Sequence, residues 1–442
     1  MRIFGLLLLA AVFGRAADDL RALADQELPS LIAIYRDLHA HPELSHHEER
    51  TSALLAGELR KAGYSVTEHL GRYADGAAAF GIAAVLKNGA GPVVLVRTEL
   101  DALPIEEKTG LPFASVARSK NAAGQDVGVM HACGHDLHMA SLLGTARTLS
   151  RLKDQWSGTL VFIGQPSEET VDGARAMLGD GFYERFPKPD FVIALHDEPA
   201  IEAGKVGILA GPIYAGSTAV EVTLRGTGGH GAHPELTKDP VVMAAEFIMQ
   251  LQTIVSRQTL PLDPAVVTVG SIHGGTKGNI IPDEVVLQLT TRAFNEDVRE
   301  RTLSSIRRMA QGVAYGAGVA DDRAPIVKVS ETEAVPPTYN DPKLAQRMRG
   351  AFDAALGAAN VVESKPMMVS EDFGLFGLSG HQIPTVIFQL GAVTAQQLEQ
   401  SRSTGTPLPS LHSSEFYPRV EPALRTGMIA TSSALLELLK RP

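Results

Sequence analysis

The stretch Met130-His131-Ala132-Cys133-Gly134-His135-Asp136-Leu137-His138-Met139 carries the single cysteine of the chain, two positions before a histidine. A thiolate and an imidazole at that spacing can grip one metal ion, and the pair favours zinc or another borderline-soft divalent cation. From Leu137 through Leu142, Leu143 and Ala146 to Leu149 the apolar residues recur at helical spacing, which predicts Cys133 and His135 at a helix N-terminus. A helix start lowers a thiol pKa and favours the anion that metals bind. Taken alone, Cys-x-His reads more readily as a buried thiol beside a surface histidine. The neighbouring sequence changes that reading.

Several short apolar runs end in residues capable of chemistry. Pro92 to Val96 leads into Arg97-Thr98-Glu99-Leu100-Asp101, Thr159 to Ile163 into Gly164-Gln165-Pro166-Ser167-Glu168-Glu169, and Phe191 to Leu195 into His196-Asp197. Pro384 to Leu390 is a fourth such run. Strands buried on both faces look like this, and open α/β sheets carry their sites at the carboxyl ends of the strands. Asp101, Glu168, Glu169 and His196 all fall there. Of two adjacent carboxylates, one can ligate a metal while the other takes a proton from water, the division of labour that metal-assisted hydrolysis needs. With His412 in Leu411-His412-Ser413, the residues Cys133, His135, Glu169, His196 and His412 supply five ligands. Five suit two metals about 3.5 to 4 Å apart with one shared ligand, and the thiolate can bridge.

After Gly211-Pro212 the pattern changes to strand, helix, strand, strand, helix, strand, the βαββαβ order of a ferredoxin-like unit. The expected organisation is a catalytic domain over 18–211 and 336–442 interrupted by a second domain over 212–335. A chain of 442 residues also exceeds what one core usually supports.

With 44% hydrophobic and 20% charged residues the chain is globular, and a formal charge of -10 without a dense Lys/Arg block excludes a nucleic-acid partner. Arg2, the apolar run Ile3 to Phe13 and Gly14-Arg15-Ala16-Ala17 read as a signal peptide over 1–17, too short to span a membrane. Export to the periplasm or medium is the expectation, with no membrane span in the mature chain. One cysteine permits no intramolecular disulfide.

Three tempting motifs fail. His47-Glu48-Glu49-Arg50-Thr51 lacks the second histidine of a zincin, and Gly270 to Lys277 has Gly-Thr-Lys where a phosphate loop needs Gly-Lys-Thr. No nucleophile-elbow serine is present. His131, His138, His233 and His273 read as solvated loop residues.

The sequence resembles the aminoacylase and carboxypeptidase superfamily of co-catalytic metallohydrolases, specifically its hippurate hydrolase and auxin-conjugate amidohydrolase branch. The resemblance rests on Leu38-His39-Ala40-His41-Pro42-Glu43-Leu44, Asp101 to Ile105, Met130 to Asp136, Glu168-Glu169, Gly228-Gly229-His230, Gly274-Gly275-Thr276 with Asn279 to Asp283, Ser370-Glu371-Asp372-Phe373 and Leu411-His412-Ser413. It implies a mixed-sheet α/β catalytic domain with an inserted ferredoxin-like lid and dimerisation domain. It also implies two divalent ions, zinc or manganese and possibly cobalt, with Cys133 joining His135 and His196 on one to Glu169 and His412 on the other. Glu168 becomes the general base and later acid, and Asp101 a carboxylate that orients the site. His230 resembles the lid histidine that bonds the scissile carbonyl oxygen, often from a neighbouring subunit, and Asn279 and Arg292 fall where the branch holds the substrate's polar end. Glu99 stands where this branch usually has Asp.

The activity so implied is hydrolysis of the amide of an N-acyl amino acid or similar small conjugate, by a homodimer. A dipeptidase or carboxypeptidase and a catalytically silent ligand-binding protein are the alternatives.

Overall fold

A computed structural model describes residues 2–378 and 380–441, with side chains from Asp19 onward. The side chains of the segment read as a signal peptide, 1–17, lie outside the described residues. No helix among the described residues is long and apolar enough to cross a membrane.

The chain divides into two compact units. One comprises 1–213, 339–365 and 372–442, the other 214–338 and 366–371. The strands of the two main sheets are β1 (Ser65–Arg72), β2 (Ala78–Asn88), β3 (Val93–Glu99), β4 (Gly158–Gln165), β5 (Phe191–Glu202) and β6 (Val206–Ile208) in the first unit, then β7 (Gly216–Arg225), β8 (Ala265–His273), β9 (Glu284–Ala293) and β10 (Ile326–Val335) in the second. The chain returns to the first unit with β11 (Val361–Glu363) and β12 (Thr385–Val393). The long helices are α1 (Arg2–Ala40), α2 (Glu49–Lys61), α3 (His135–Arg151), α4 (Pro240–Thr253), α5 (Glu296–Gly316), α6 (Pro342–Leu356) and α7 (Val420–Leu438).

In the first unit eight strands form one sheet in the order β1-β2-β4-β3-β5-β12-β6-β11. The central four, β4-β3-β5-β12, run parallel, while β2 meets β4 and β6 meets β12 antiparallel. All eight residues of β4 and all nine of β12 are buried, the signature of strands covered on both faces. Leu31, Tyr35 and Leu38 of α1, Leu142, Leu143 and Ala146 of α3, and Leu424, Met428 and Leu435 of α7 join the core that packs on this sheet. The parallel register aligns the carboxyl ends of β3 and β4, Glu99 opposite Gln165, and so sets the following residues side by side.

In the second unit the sheet order is β8-β9-β7-β10, antiparallel throughout, with α4 and α5 packed on it through Phe247, Leu251, Leu303 and Ile306. That is the ferredoxin-like order. Asp239 and Asn295 cap α4 and α5 by accepting from Val241 N and Asp297 N. The segment Pro366–Glu371 belongs to this unit, although the sequence assigns everything after 335 to the catalytic domain. A bridge between Tyr214 and Met367, with Ala215 N donating to Met367 O at 3.1 Å, draws it across.

Candidate metal centre

Gly134 precedes α3 at φ +75°, and a Cβ there would sit 2.5 Å from Asp197 Oδ2. Only glycine both adopts that angle at no cost and admits the carboxylate. The turn sets Cys133 and His135, 6% and 0% exposed, against the sheet. His196 lies inside β5 rather than beyond its end, since β5 continues pairing with β12 past Asp197 and Glu198. Glu168 and Glu169 follow β4, and His412 sits in a loop whose backbone N–H donates to Ala132 O at 2.9 Å.

These residues converge. Donor atoms of Cys133, His135 and His196 lie within 4.8 Å of one another, and so do those of Cys133, Glu169 and His412, two groups that share the sulfur. A third group joins His135 to Glu168 and Glu169. Cys133 Sγ is 3.6 Å from His196 Nε2, His412 Nε2 is 3.4 Å from Glu169 Oε2, and Glu168 Oε2 is 3.9 Å from His135 Nε2.

The surrounding bonds aim the donors. His135 Nδ1 donates to the Asp101 carbonyl at 2.8 Å and His196 Nδ1 to the Asp197 carbonyl at 2.8 Å, which orients each ring with Nε2 toward the cluster. His135 Nε2, fully buried, has no hydrogen-bond partner. A buried ring nitrogen with no hydrogen-bond partner is what a metal ligand looks like before its metal is counted.

Electrostatics points the same way. Burial, then the charges of Glu169, Glu168, Asp197 and Glu99, push the Cys133 thiol well above its usual range. The helix start expected to lower it is therefore outweighed. Burial pulls His135 down, but the hydrogen bond to Asp101 and the charges of Glu99, Asp101 and Glu169 overcome it and raise the imidazole to about 10. His412 is lowered, by burial and by His135 and His196. A cluster so rich in carboxylate calls for added positive charge, and a borderline-soft divalent cation is one that also ionises the thiol. The residues fit a pair of metals.

Asp101 is fully buried. Its Oδ2 accepts from Ser45 Oγ at 2.7 Å and from Glu169 N at 2.9 Å, and its pKa is lowered because the His135, Ser45 and Glu169 bonds outweigh burial.

The sequence matches the family model "Peptidase family M20/M25/M40" over residues 95–404. The chain belongs to this peptidase family. Among M20 relatives it is 36% identical to N-acetyl-L-cysteine deacetylase of Bacillus subtilis over 349 residues, 78% of this chain and 77% of that protein. It is 34% identical to hippurate hydrolase of Campylobacter jejuni over 345 residues, 78% and 84% of the two chains. Among solved structures it resembles the Bacillus subtilis YXEP protein, a dinuclear metal binding peptidase from the M20 family, with TM-score 0.72, 27% identity and coverage of 95% and 99%.

The three remaining candidates lie in the second unit. His230 is exposed on a two-residue strand paired with Ile280, and its Nδ1 accepts from Ala232 N at 3.0 Å. Asn279, also exposed, holds the same ribbon through its carbonyl, which accepts from Gly231 N at 2.9 Å. Arg292 of β9 donates from Nη1 to Met368 O at 2.8 Å and to Ser370 Oγ at 3.2 Å.

Two of the histidines read as solvated are buried. His131 is 2% exposed, and burial lowers it to about 4. His138 is 1% exposed between Glu99 Oε2 at 2.9 Å and Asp197. His138 lies one helical turn beyond His135 and so faces the same way, a signal the sequence offered. Glu99 in turn pairs with Arg97, which also reaches Gln165 Oε1 at 2.9 Å and Asp372 Oδ1 at 3.2 Å, all buried.

Proposed function

We propose that this chain hydrolyses the amide bond of N-acyl amino acids, with two divalent metal ions, zinc or manganese, held by Cys133, His135, His196, Glu169 and His412. The observation that carries the reading is the pair of donor groups sharing Cys133 Sγ, with Glu168 beside both His135 and Glu169. Metals bound there would supply Lewis acidity to a carbonyl oxygen and lower the pKa of water. Glu168 takes the proton of the attacking water and returns it to the leaving nitrogen. Asp101 fixes the Glu169 backbone and, through its carbonyl, the His135 ring. The N-acyl class is supported by the relatives named for deacetylation of N-acetyl-L-cysteine and hydrolysis of hippurate.

For the second unit we propose substrate contacts from His230, Asn279 and Arg292 and homodimerisation. The second is supported by the exposed Val242 and Met249 of α4 and by β8, a sheet edge with Ile272 half exposed. Export is proposed from the composition of residues 1–17.

The test is the Glu168→Gln variant assayed on a panel of acyl amino acids and dipeptides. The metals should stay bound while turnover drops by orders of magnitude. Near-normal turnover refutes the assignment. A dipeptide preferred over every acyl amino acid returns the runner-up, a dipeptidase.

A further inference from the structure

Glu48 sits in the segment that failed as a zincin, and its side chain is completely buried. Its Oε1 accepts three hydrogen bonds, from Ser167 N at 2.8 Å, Ser167 Oγ at 3.0 Å and His46 N at 3.1 Å. Its Oε2, also buried, has none. A buried carboxyl that spends two of the three bonds of one oxygen on Ser167, and the third on the His46 N–H that also reaches the Ser167 hydroxyl, is holding Ser167 in place.

Ser167 needs holding. It lies at φ +52°, the left-handed region that is strained for a non-glycine residue, directly before Glu168. Tyr73 OH shares a 2.6 Å hydrogen bond with its hydroxyl, and His46 N donates to the same oxygen at 2.9 Å. On the far side of Glu168, Asp101 takes the Glu169 N–H. The two amides flanking Glu168 are thus each bound by a buried carboxyl group, Glu48 before it and Asp101 after it. The loop closes at Gly173, whose N–H donates to Ser167 O at 3.1 Å and whose Cα lies where a Cβ would meet Pro166 O at 1.6 Å.

We propose that Glu48 is a positioning residue for Glu168, clamping Ser167 in the left-handed turn that presents the Glu168 carboxylate beside His135. The inference rests on the reading of Glu168 as the proton carrier. Because Oε1 alone does the accepting, glutamine at position 48 can keep all three bonds. Burial and the Asp101 charge, against the Ser167 bonds, push the Glu48 carboxyl up to about 8, so its neutral form also resembles an amide.

The experiment measures kcat, KM and metal content for the metal-loaded full chain on an N-acyl amino acid. Glu48→Ala should lower kcat about 10- to 100-fold, the cost of a carboxylate displaced by about an ångström, with KM little changed and two metals retained. Glu48→Gln should restore kcat to within about threefold, since the hydrogen bonds it keeps are the proposed function. Placing Ser167→Gly in the Glu48→Ala background should recover part of the loss, because glycine takes positive φ without a clamp. A merely structural role predicts instead lower thermal stability and metal content with no recovery in the double variant.

Wild-type kcat in Glu48→Ala, or Glu48→Gln as impaired as Glu48→Ala, overturns the proposal. Should Glu48→Ala not fold, Glu48→Asp decides: one methylene short of Ser167, it should lose kcat while remaining folded, and unchanged kcat overturns the proposal. Failure of the underlying reading shows separately, as normal turnover in Glu168→Gln whatever Glu48 does.

Discussion

Asp101 Oδ2 lies 2.9 Å from the backbone nitrogen of Glu169, while the Asp101 carbonyl accepts from His135 Nδ1 at 2.8 Å. One residue therefore braces a candidate ligand of each metal, without being a ligand in either group that shares Cys133. Asp101→Ala should weaken metal binding about 10- to 100-fold, the usual cost of losing such an outer partner. Competition titration against a chelator of known affinity measures it, and unchanged affinity would show that the Asp101 carboxylate, through its bond to Glu169 N, does not brace the site.

Metal binding should release protons. Cys133 is held well above its usual pKa and His135 near 10, so at pH 7 both carry protons that a metal must displace. Calorimetric titration of metal-free protein in buffers of different ionisation enthalpy should give more than one proton released per pair of metals. Zero release would place the metal elsewhere. Because metal binds the folded state, excess metal at about a hundred times its dissociation constant should add about 2.7 kcal/mol to stability.

Those two pKa shifts could not be read from sequence. The Cys-x-His spacing, the glutamate pair and the parallel strands were legible because each is local: β3, β4, β5 and β12 begin at the apolar runs, although β5 continues past its run to Glu202, and α3 begins at His135 as its periodicity predicts. The edge hairpin β1–β2 escaped because its strands mix polar, small and apolar residues, and β6 and β11 because three residues carry no period. Burial of His138 comes with the partners Glu99 and Asp197, 39 and 59 positions away from it. The assignment of Pro366–Glu371 to the second unit likewise depends on Arg292, 76 positions from Met368.

His39 sets an alkaline limit. It is buried between Asp136 Oδ2 at 2.7 Å and Glu107 Oε1 at 3.1 Å. Burial lowers its pKa, but the two carboxylates overcome that and raise it to about 10 from 6.5. The folded chain then binds a proton that the unfolded chain has lost. Its contribution is complete below pH 6.5 and fades as pH rises through 10, by about 1.4 kcal/mol per pH unit for one proton. His135 and His138 share this sign in metal-free protein, so the check is a difference: denaturant unfolding of His39→Gln should show a shallower loss than the parent between pH 7 and 10. Parallel curves would contradict it.

Glu99 joins Arg97 to His138 Nδ1, all buried. Glu99→Asp withdraws the carboxylate by one methylene and cannot reach both. Leaving one buried partner unsatisfied should cost about 1–3 kcal/mol, read from denaturant midpoints at constant m-value. A neutral effect would mean that the pocket closes around the shorter acid.

Crystals soaked in zinc or manganese and measured at the metal's absorption edge locate the cations directly. Two anomalous peaks about 3.5 to 4 Å apart, both within bonding distance of Cys133 Sγ, are expected. A single peak, or a pair that leaves Cys133 outside their coordination, would contradict a shared sulfur at the centre of this site.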